Sequence, residues 1–187
     1  MQNKKVAKWM RIARYFHRKI ALVLFVFFFI LSITGTLLGI KKHTGGTILP
    51  KTETGISNNP SDWLSTDSLL SIANRIVEDS ISTEMDKSLQ RIDYRPHKGI
   101  AKFIYNEGFW GIQLDCTTGE VLAINKRKSD IIENFHDGSI LDYWFDTSKE
   151  QVKLIYTVIM GVSMLWMTST GLWMLIGPKI IRRNRKG

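Results

Sequence analysis

Two long stretches of this chain, Ile20–Ile40 and Leu154–Ile176, are apolar at most positions and carry no charged residue. Residues 62–128 between them show the mixed short periodicities of a folded domain. The first stretch, 21 residues long, would make a helix of about 31 Å, the thickness of a bilayer's hydrocarbon core. A water-soluble helix would place a polar residue every third or fourth position, whereas here the first is Ser32. The apolar core of a cleaved secretory signal is roughly 7–15 residues and ends in small residues; this run ends in Lys41-Lys42-His43. A retained transmembrane helix is therefore expected, with the 23-residue run Leu154–Ile176 as a second.

The middle predicts a small α+β domain. Over residues 41–61, Gly45, Gly46, Pro50, Gly55 and Pro60 break any regular element and read as a linker. Ser65, Thr66 or Asp67 can cap a helix in which Leu69, Ala73 and Ile76, with Leu70 and Val77, recur at helical spacing as far as about Asp79. Strand-like runs follow at Leu89–Arg95, Ile100–Tyr105, Phe109–Asp115 and Glu120–Ile124, with turns at Asn106-Glu107-Gly108 and Thr117-Thr118-Gly119. One helix packed on a small antiparallel sheet is the economical solution. Residues 129–153 read either as an amphipathic approach to the outer leaflet, anchored by Tyr143, Trp144 and Phe145, or as a loop packed on the sheet.

Charge adds a topology. The net +9 is carried by the ends: seven basic residues before Ile20 and five after Ile176, with no acid among either, while residues 41–153 hold the other 14 basic and all 17 acidic residues. Lys and Arg close to membrane spans mark the cytoplasmic side. The basic segments 1–19 and 177–187 are thus expected inside, and residues 41–153 outside. Anionic lipid suits these ends, and no aromatic or glycine pattern points to nucleic acid. Cys116 is the only cysteine, which excludes an intrachain disulfide, a thiolate-rich metal site and a CxxC redox pair.

Small residues mark candidate packing faces. Ser32, Gly35, Thr36 and Gly39 form one stripe on the first helix. On the second, Tyr156, Ser163, Thr170 and Gly177 recur every seven places, as do Met160, Met167 and Met174. Counting from the outer ends puts Ser32 and Ser163 at similar depth. It also sets Thr170-Gly171 opposite Leu24–Phe29, where no small residue meets it, so a homodimer or another membrane subunit is expected to cover that step.

Several local motifs together resemble a known family. Residues 62–124, a leading helix and strands closing on Asp115-Cys116-Thr117-Thr118-Gly119-Glu120-Val121-Leu122, look like a PepSY domain. Tyr15-Phe16-His17-Arg18 before the first helix, Ile33-Thr34-Gly35 within it, Phe135-His136-Asp137-Gly138 before the second and Ser169-Thr170-Gly171-Leu172-Trp173 within it resemble PepSY-associated transmembrane helices. The resemblance implies a bacterial inner-membrane protein with a periplasmic PepSY domain. Larger relatives of this kind resemble ferric-siderophore reductases that hold haem b on helix histidines; this chain has two helices and four histidines. Stand-alone PepSY domains are associated with peptidase binding.

A six-coordinate haem needs two neutral imidazoles on opposite sides of the ring. His17 is the first candidate cofactor ligand and His136 the second; within one copy His17 has no partner at its expected depth, and Arg14, Arg18 and Lys19 beside it suit propionates. His43 and His136 make too thin a pair for a metal site. No Ser-His-Asp spacing, HExxH, phosphate loop or nucleotide fingerprint appears, and no catalytic residue is assigned. The expected role is a non-enzymatic accessory or interaction protein beside iron or siderophore uptake. The alternatives are a haem-binding electron-transfer subunit and a peptidase-binding module acting through the sheet face around Trp110.

Overall fold

The computed structural model describes residues 2–145 and 150–184. The Tyr143 side chain, expected as an anchor, and the tail charges Arg185 and Lys186 lie outside the described residues. The chain divides into two compact units, Leu37–Ile132 and Met1–Thr36 with Glu133–Gly187, each described by itself below.

In the first unit, helix α2 (Thr66–Ser80) packs on a four-stranded antiparallel sheet of strands β1 (Leu89–Arg95), β2 (Ile100–Tyr105), β3 (Trp110–Asp115) and β4 (Val121–Lys126) in the order β1-β2-β3-β4. Ser65 caps α2, its hydroxyl accepting from the Ser68 N–H at 3.1 Å. Leu69, Ala73 and Val77 at i, i+4 and i+8 are fully buried against Ala101, Phe103, Tyr105, Ile112 and Leu114. Each large apolar side chain there contributes about 1.5–3 kcal/mol of burial. The period of two along β2 and β3 sends those residues to the helix and their neighbours to the opposite face.

That opposite face is where the structure departs from the expected linker. All six residues of β2 are buried, Ile100, Lys102 and Ile104 included, because residues 48–56 are strapped across the sheet. The Glu53 N–H donates to Gln113 Oε1 (3.1 Å), Gln113 Nε2 to the Lys51 carbonyl (2.8 Å), the Gly55 N–H to the Lys98 carbonyl (2.7 Å) and the Ile56 N–H to Asp115 Oδ2 (2.6 Å). Gly55 is required: a Cβ there would lie 2.5 Å from the Gly99 carbonyl oxygen and 2.7 Å from Asp115 Oδ2. The glycines and prolines do prevent regular structure, but sheet side chains supply the hydrogen bonds this irregular backbone needs.

In the second unit, α1 (Gln2–Ile40) is one helix of 39 residues, so the basic segment 2–19 extends the apolar one rather than standing apart. Helix α5 (Gln151–Arg183) has 33 residues and continues past Ile176, taking in much of the basic tail. Both are long and apolar enough to cross a membrane. They run antiparallel. Asn184 Nδ2 donates to Asn3 Oδ1 (3.1 Å), Met10 packs on Gly177 and His17 meets Thr170, three pairs whose numbers each total 187. This register sets Ser163 opposite position 24, so Ser32 and Ser163 do not share a depth, and the counterpart of Thr170-Gly171 in this chain is His17. The depths expected from the apolar ends slip because the basic half of α1 pairs with α5.

Along α5, Tyr156, Met160, Ser163, Met167, Thr170, Met174 and Gly177 are buried or half-buried at alternating spacings of four and three. The two rows read from the sequence are therefore neighbouring halves of one coiled-coil-like seam. On α1 the matching set is Met10, Ala13, His17, Ile20, Leu24, Leu31 and Thr34. Ser32 is exposed and bonds to its own helix at the Phe28 carbonyl (2.8 Å), and Gly39 has open space around it.

Residues 128–145, expected as an interfacial segment or a loop, form two short helices, α3 (Lys128–Asp137) and α4 (Ser139–Phe145). Gly138 (φ 82°) makes the corner between them, and a Cβ on it would lie 2.5 Å from the Tyr156 ring. Asp137 accepts from the Ser139 N–H (2.9 Å) and pairs with Lys153 at 3.0 Å. Asp142 caps α5, accepting from the N–H groups of Val152 (3.0 Å) and Lys153 (2.7 Å).

Candidate functional site

Helices α1, α3 and α5 bring together residues that are far apart in the sequence. His17 Nδ1 lies 2.8 Å from Thr170 Oγ1, and His136 Nδ1 lies 2.9 Å from Thr34 Oγ1. Each threonine donates its one hydroxyl proton back to its own helix, Thr34 to the Ile30 carbonyl and Thr170 to the Trp166 carbonyl, both at 2.7 Å. With that proton committed to the carbonyl, the tautomer that completes the histidine–threonine bond is the neutral ring with its proton on Nδ1, which has its lone pair on Nε2. Neither Nε2 has a partner among the described residues.

The two sites are built alike. Each threonine is followed by a glycine, and the imidazole lies over it: a Cβ on Gly35 would come within 3.2 Å of His136 Cε1, and one on Gly171 within 3.9 Å of His17 Cε1. Each histidine follows a phenylalanine, Phe16 or Phe135. Phe135 packs edge-on against Trp144 (ring centroids 6.4 Å apart, ring planes at 83°). Thr170 also lines an apolar groove of about 380 Å³ walled by Trp9, Trp166 and Trp173. His17 and Thr34 are 17 positions apart on α1, so the two imidazoles are separated by about 25 Å along that helix.

The remaining candidates have other roles. Asp115, at the head of the Thr-Gly-Glu-Val turn, is buried and accepts from the N–H groups of Thr117 (2.7 Å), Thr118 (3.0 Å) and Ile56 (2.6 Å). Burial pushes its carboxyl up, but those N–H groups outweigh it and hold the pKa below the ordinary carboxylate range. Cys116 is buried, and burial together with Asp115 pushes its thiol up to about 11, so it stays protonated. His43 and His97 are exposed. Trp110 is half-buried against the core, with the Lys126 ammonium 5.8 Å from its ring centroid. No cluster of three metal-ligating side chains occurs among the described residues.

Two buried polar residues, one in the His136 site and one on the sheet, escape the spacing rules used on the sequence. Thr34 falls off the Ser32-Gly35-Gly39 stripe, and Lys102 sits inward between Ile100 and Ile104. The signal for Lys102 was available: a charged residue at an inward position of a period-two run. For Thr34 the cues are the Ile33-Thr34-Gly35 motif and the recurrence of Thr-Gly in both apolar stretches. No family model matches the chain, and no curated protein or solved structure matches it either.

Proposed function

We propose that this chain is a two-span bacterial inner-membrane protein with its α+β, PepSY-type domain on the periplasmic side and both termini in the cytoplasm, and that its helix pair serves electron transfer by holding haem at His17 and His136. The observation that carries this reading is that each imidazole has its Nδ1 held by a threonine of another helix while its Nε2 has no partner among the described residues. Ligating histidines are regularly oriented in this way by a hydrogen bond from the second ring nitrogen. The two rings are about 25 Å apart along α1, too far apart to hold one group between them. Each histidine therefore supplies one ligand of its own site, and a second copy or another membrane subunit supplies the other.

Haem bound there would supply a one-electron couple near each end of the apolar seam. The chain's own residues do the rest. Thr34 and Thr170 would fix ring tautomer and orientation, Gly35 makes room for the His136 ring, and Arg14, Arg18 and Lys19 next to His17 would offer cations to propionates. The test is the absorbance of full-length protein purified in detergent after haem-supplemented expression. A Soret band is expected that His17→Ala and His136→Ala each reduce by about half. Colourless protein would remove the reading.

A second reading is a non-redox accessory protein beside iron or siderophore uptake. It is favoured by one observation, that each histidine–threonine bond already ties two helices together, α1 to α5 through His17 and Thr170 and α3 to α1 through His136 and Thr34. Colourless protein that retains its fold would leave this reading standing.

A further inference from the structure

On the sheet face away from α2, the strap and the strand ends enclose a pocket of about 350 Å³ whose charged lining is wholly basic: Lys42, Arg95, Lys98, Lys102 and Arg127, with His97 at its side. Two of these cations are balanced by carboxylates outside the lining. Arg127 makes a two-pronged pair with Asp130 (2.7 and 3.0 Å), and Arg95 lies 3.9 Å from Asp93. Lys42, Lys98 and Lys102 have no carboxylate within ion-pair distance among the described residues.

Lys102 is the informative one. It is 7 % exposed, and its ammonium donates to Thr52 Oγ1 at 2.6 Å. Asp93 is its cross-strand neighbour in the β1–β2 register, yet Asp93 pairs with Arg91 and Arg95 instead. An ammonium this enclosed without a counter-ion is costly. Burial, then Arg127 and Arg95, push its pKa down to about 8 against the opposing pull of Asp93. An anion in the pocket would reverse that cost. The Thr52 carbonyl holds Lys98 at 2.5 Å, so the strap positions both lysines at one rim.

We propose that this pocket binds a phosphate-class oxyanion, with Lys42, Lys98 and Lys102 as the charges it neutralises and Arg95 as a planar donor. Three uncompensated cations match a multiply charged phosphate better than a single carboxylate. The volume admits a phosphate ester or pyrophosphate but leaves little room for a large organic body. Lys42 is two residues past the end of α1, so the phosphate has two sources, a lipid headgroup or a soluble phosphate.

Calorimetric titration of the full-length protein in non-ionic detergent tests this with two probes, pyrophosphate and dioctanoyl phosphatidic acid, using dioctanoyl phosphatidylcholine as the zwitterionic control. Saturable binding of either anionic probe is expected, weakened at least tenfold by Lys102→Met and by the surface double variant Arg95→Gln/Lys98→Gln. The double variant changes no core residue and keeps the test alive if Lys102→Met folds poorly. Binding of pyrophosphate assigns a soluble source, and binding of phosphatidic acid alone a headgroup. No saturable binding of either, or binding that both variants retain at full strength through the basic tails, overturns the proposal.

Discussion

The turn at Asp115 and the helix seam at His17 and His136 handle enclosed polar groups in opposite ways. Asp115 is satisfied from within: three backbone N–H groups converge on its two oxygens, and the side chain is buried away from any ligand. Each seam histidine is half-saturated, one ring nitrogen tied to a threonine and the other bare. A polar group whose capacity is filled internally holds a fold together, whereas one whose capacity is half filled is oriented for something else. The Asp-x-x-Thr-Gly-Glu motif is thus explained by structure alone, and the Phe-His and Thr-Gly motifs are not.

The sharpest way to break this contrast is to empty the saturated site. Asp115→Ala strands three N–H groups in a buried turn and frees the strap at Ile56; since hydrogen bonds to a charged group contribute about 1.5–3 kcal/mol each, a loss of at least ~3 kcal/mol is expected. Asp115→Asn costs less but still turns one amide N–H toward an N–H. The carboxyl's pKa is lowered in the fold, so its contribution is complete above the ordinary carboxylate range and disappears as pH falls through the lowered value. Thermal midpoints of the full-length chain at pH 7 and pH 3 check both statements. Were Asp115→Ala as stable as wild type at pH 7, the turn would not be the strap's anchor.

How much of this could be seen beforehand divides along the same line. β1 and β2 match their expected ends residue for residue, and α2 lies within a residue or two of its expected span, because Ser65, the Leu69-Ala73-Val77 spacing and Pro96 are local signals. The strap was not legible. Its contacts join residues about 60 positions apart, such as Glu53 with Gln113, and glycine and proline report only that the backbone is irregular. The inter-helix register was not legible either. Apolar ends place a helix in a membrane, but Met10 on Gly177 and His17 on Thr170 depend on the basic half of α1 staying helical and pairing. His17 and His136 were recognisable as candidates; Thr170 stood out only as a packing residue and Thr34 only within the Ile33-Thr34-Gly35 motif, since a hydroxyl within an apolar run commonly bonds its own helix, as Ser32 does.

A smaller effect separates the saturated aspartate from Lys102, the enclosed charge without a counter-ion. Its pKa of about 8 lies below the ordinary lysine value of 10.5. Between those pH values the unfolded chain binds the proton and the native one does not, so stability rises with pH across the window. Below pH 8 the charged ammonium is a standing cost, and Lys102→Met should raise stability at pH 7 by roughly 1–2 kcal/mol, less than the full linkage value because the pocket opens to water. The difference in thermal midpoint between wild type and Lys102→Met, followed from pH 7 to pH 10, should shrink steadily. A difference that stays constant over that range would mean that Lys102 is not strained by its charge.

The smallest expected effect bears on the seam itself. Thr34→Val and Thr170→Val each remove one side-chain bond between helices, which in membrane proteins averages about 0.6 kcal/mol, so stability barely moves. What moves is the imidazole. With its Nδ1 acceptor gone, His136 in Thr34→Val is free to exchange tautomer, and nitrogen chemical shifts of labelled histidine should change from a pure Nδ1–H form to a mixture. The glycines make the two sites distinguishable. Gly35→Ala puts a Cβ within 3.2 Å of His136 Cε1 and must displace the ring, whereas Gly171→Ala, at 3.9 Å from His17 Cε1, makes an ordinary contact. Gly35→Ala should therefore perturb the His136 signals while Gly171→Ala leaves those of His17 in place. If wild-type protein showed Nε2–H on both rings, the lone pairs would point into the seam, and neither histidine would be poised to receive a ligand.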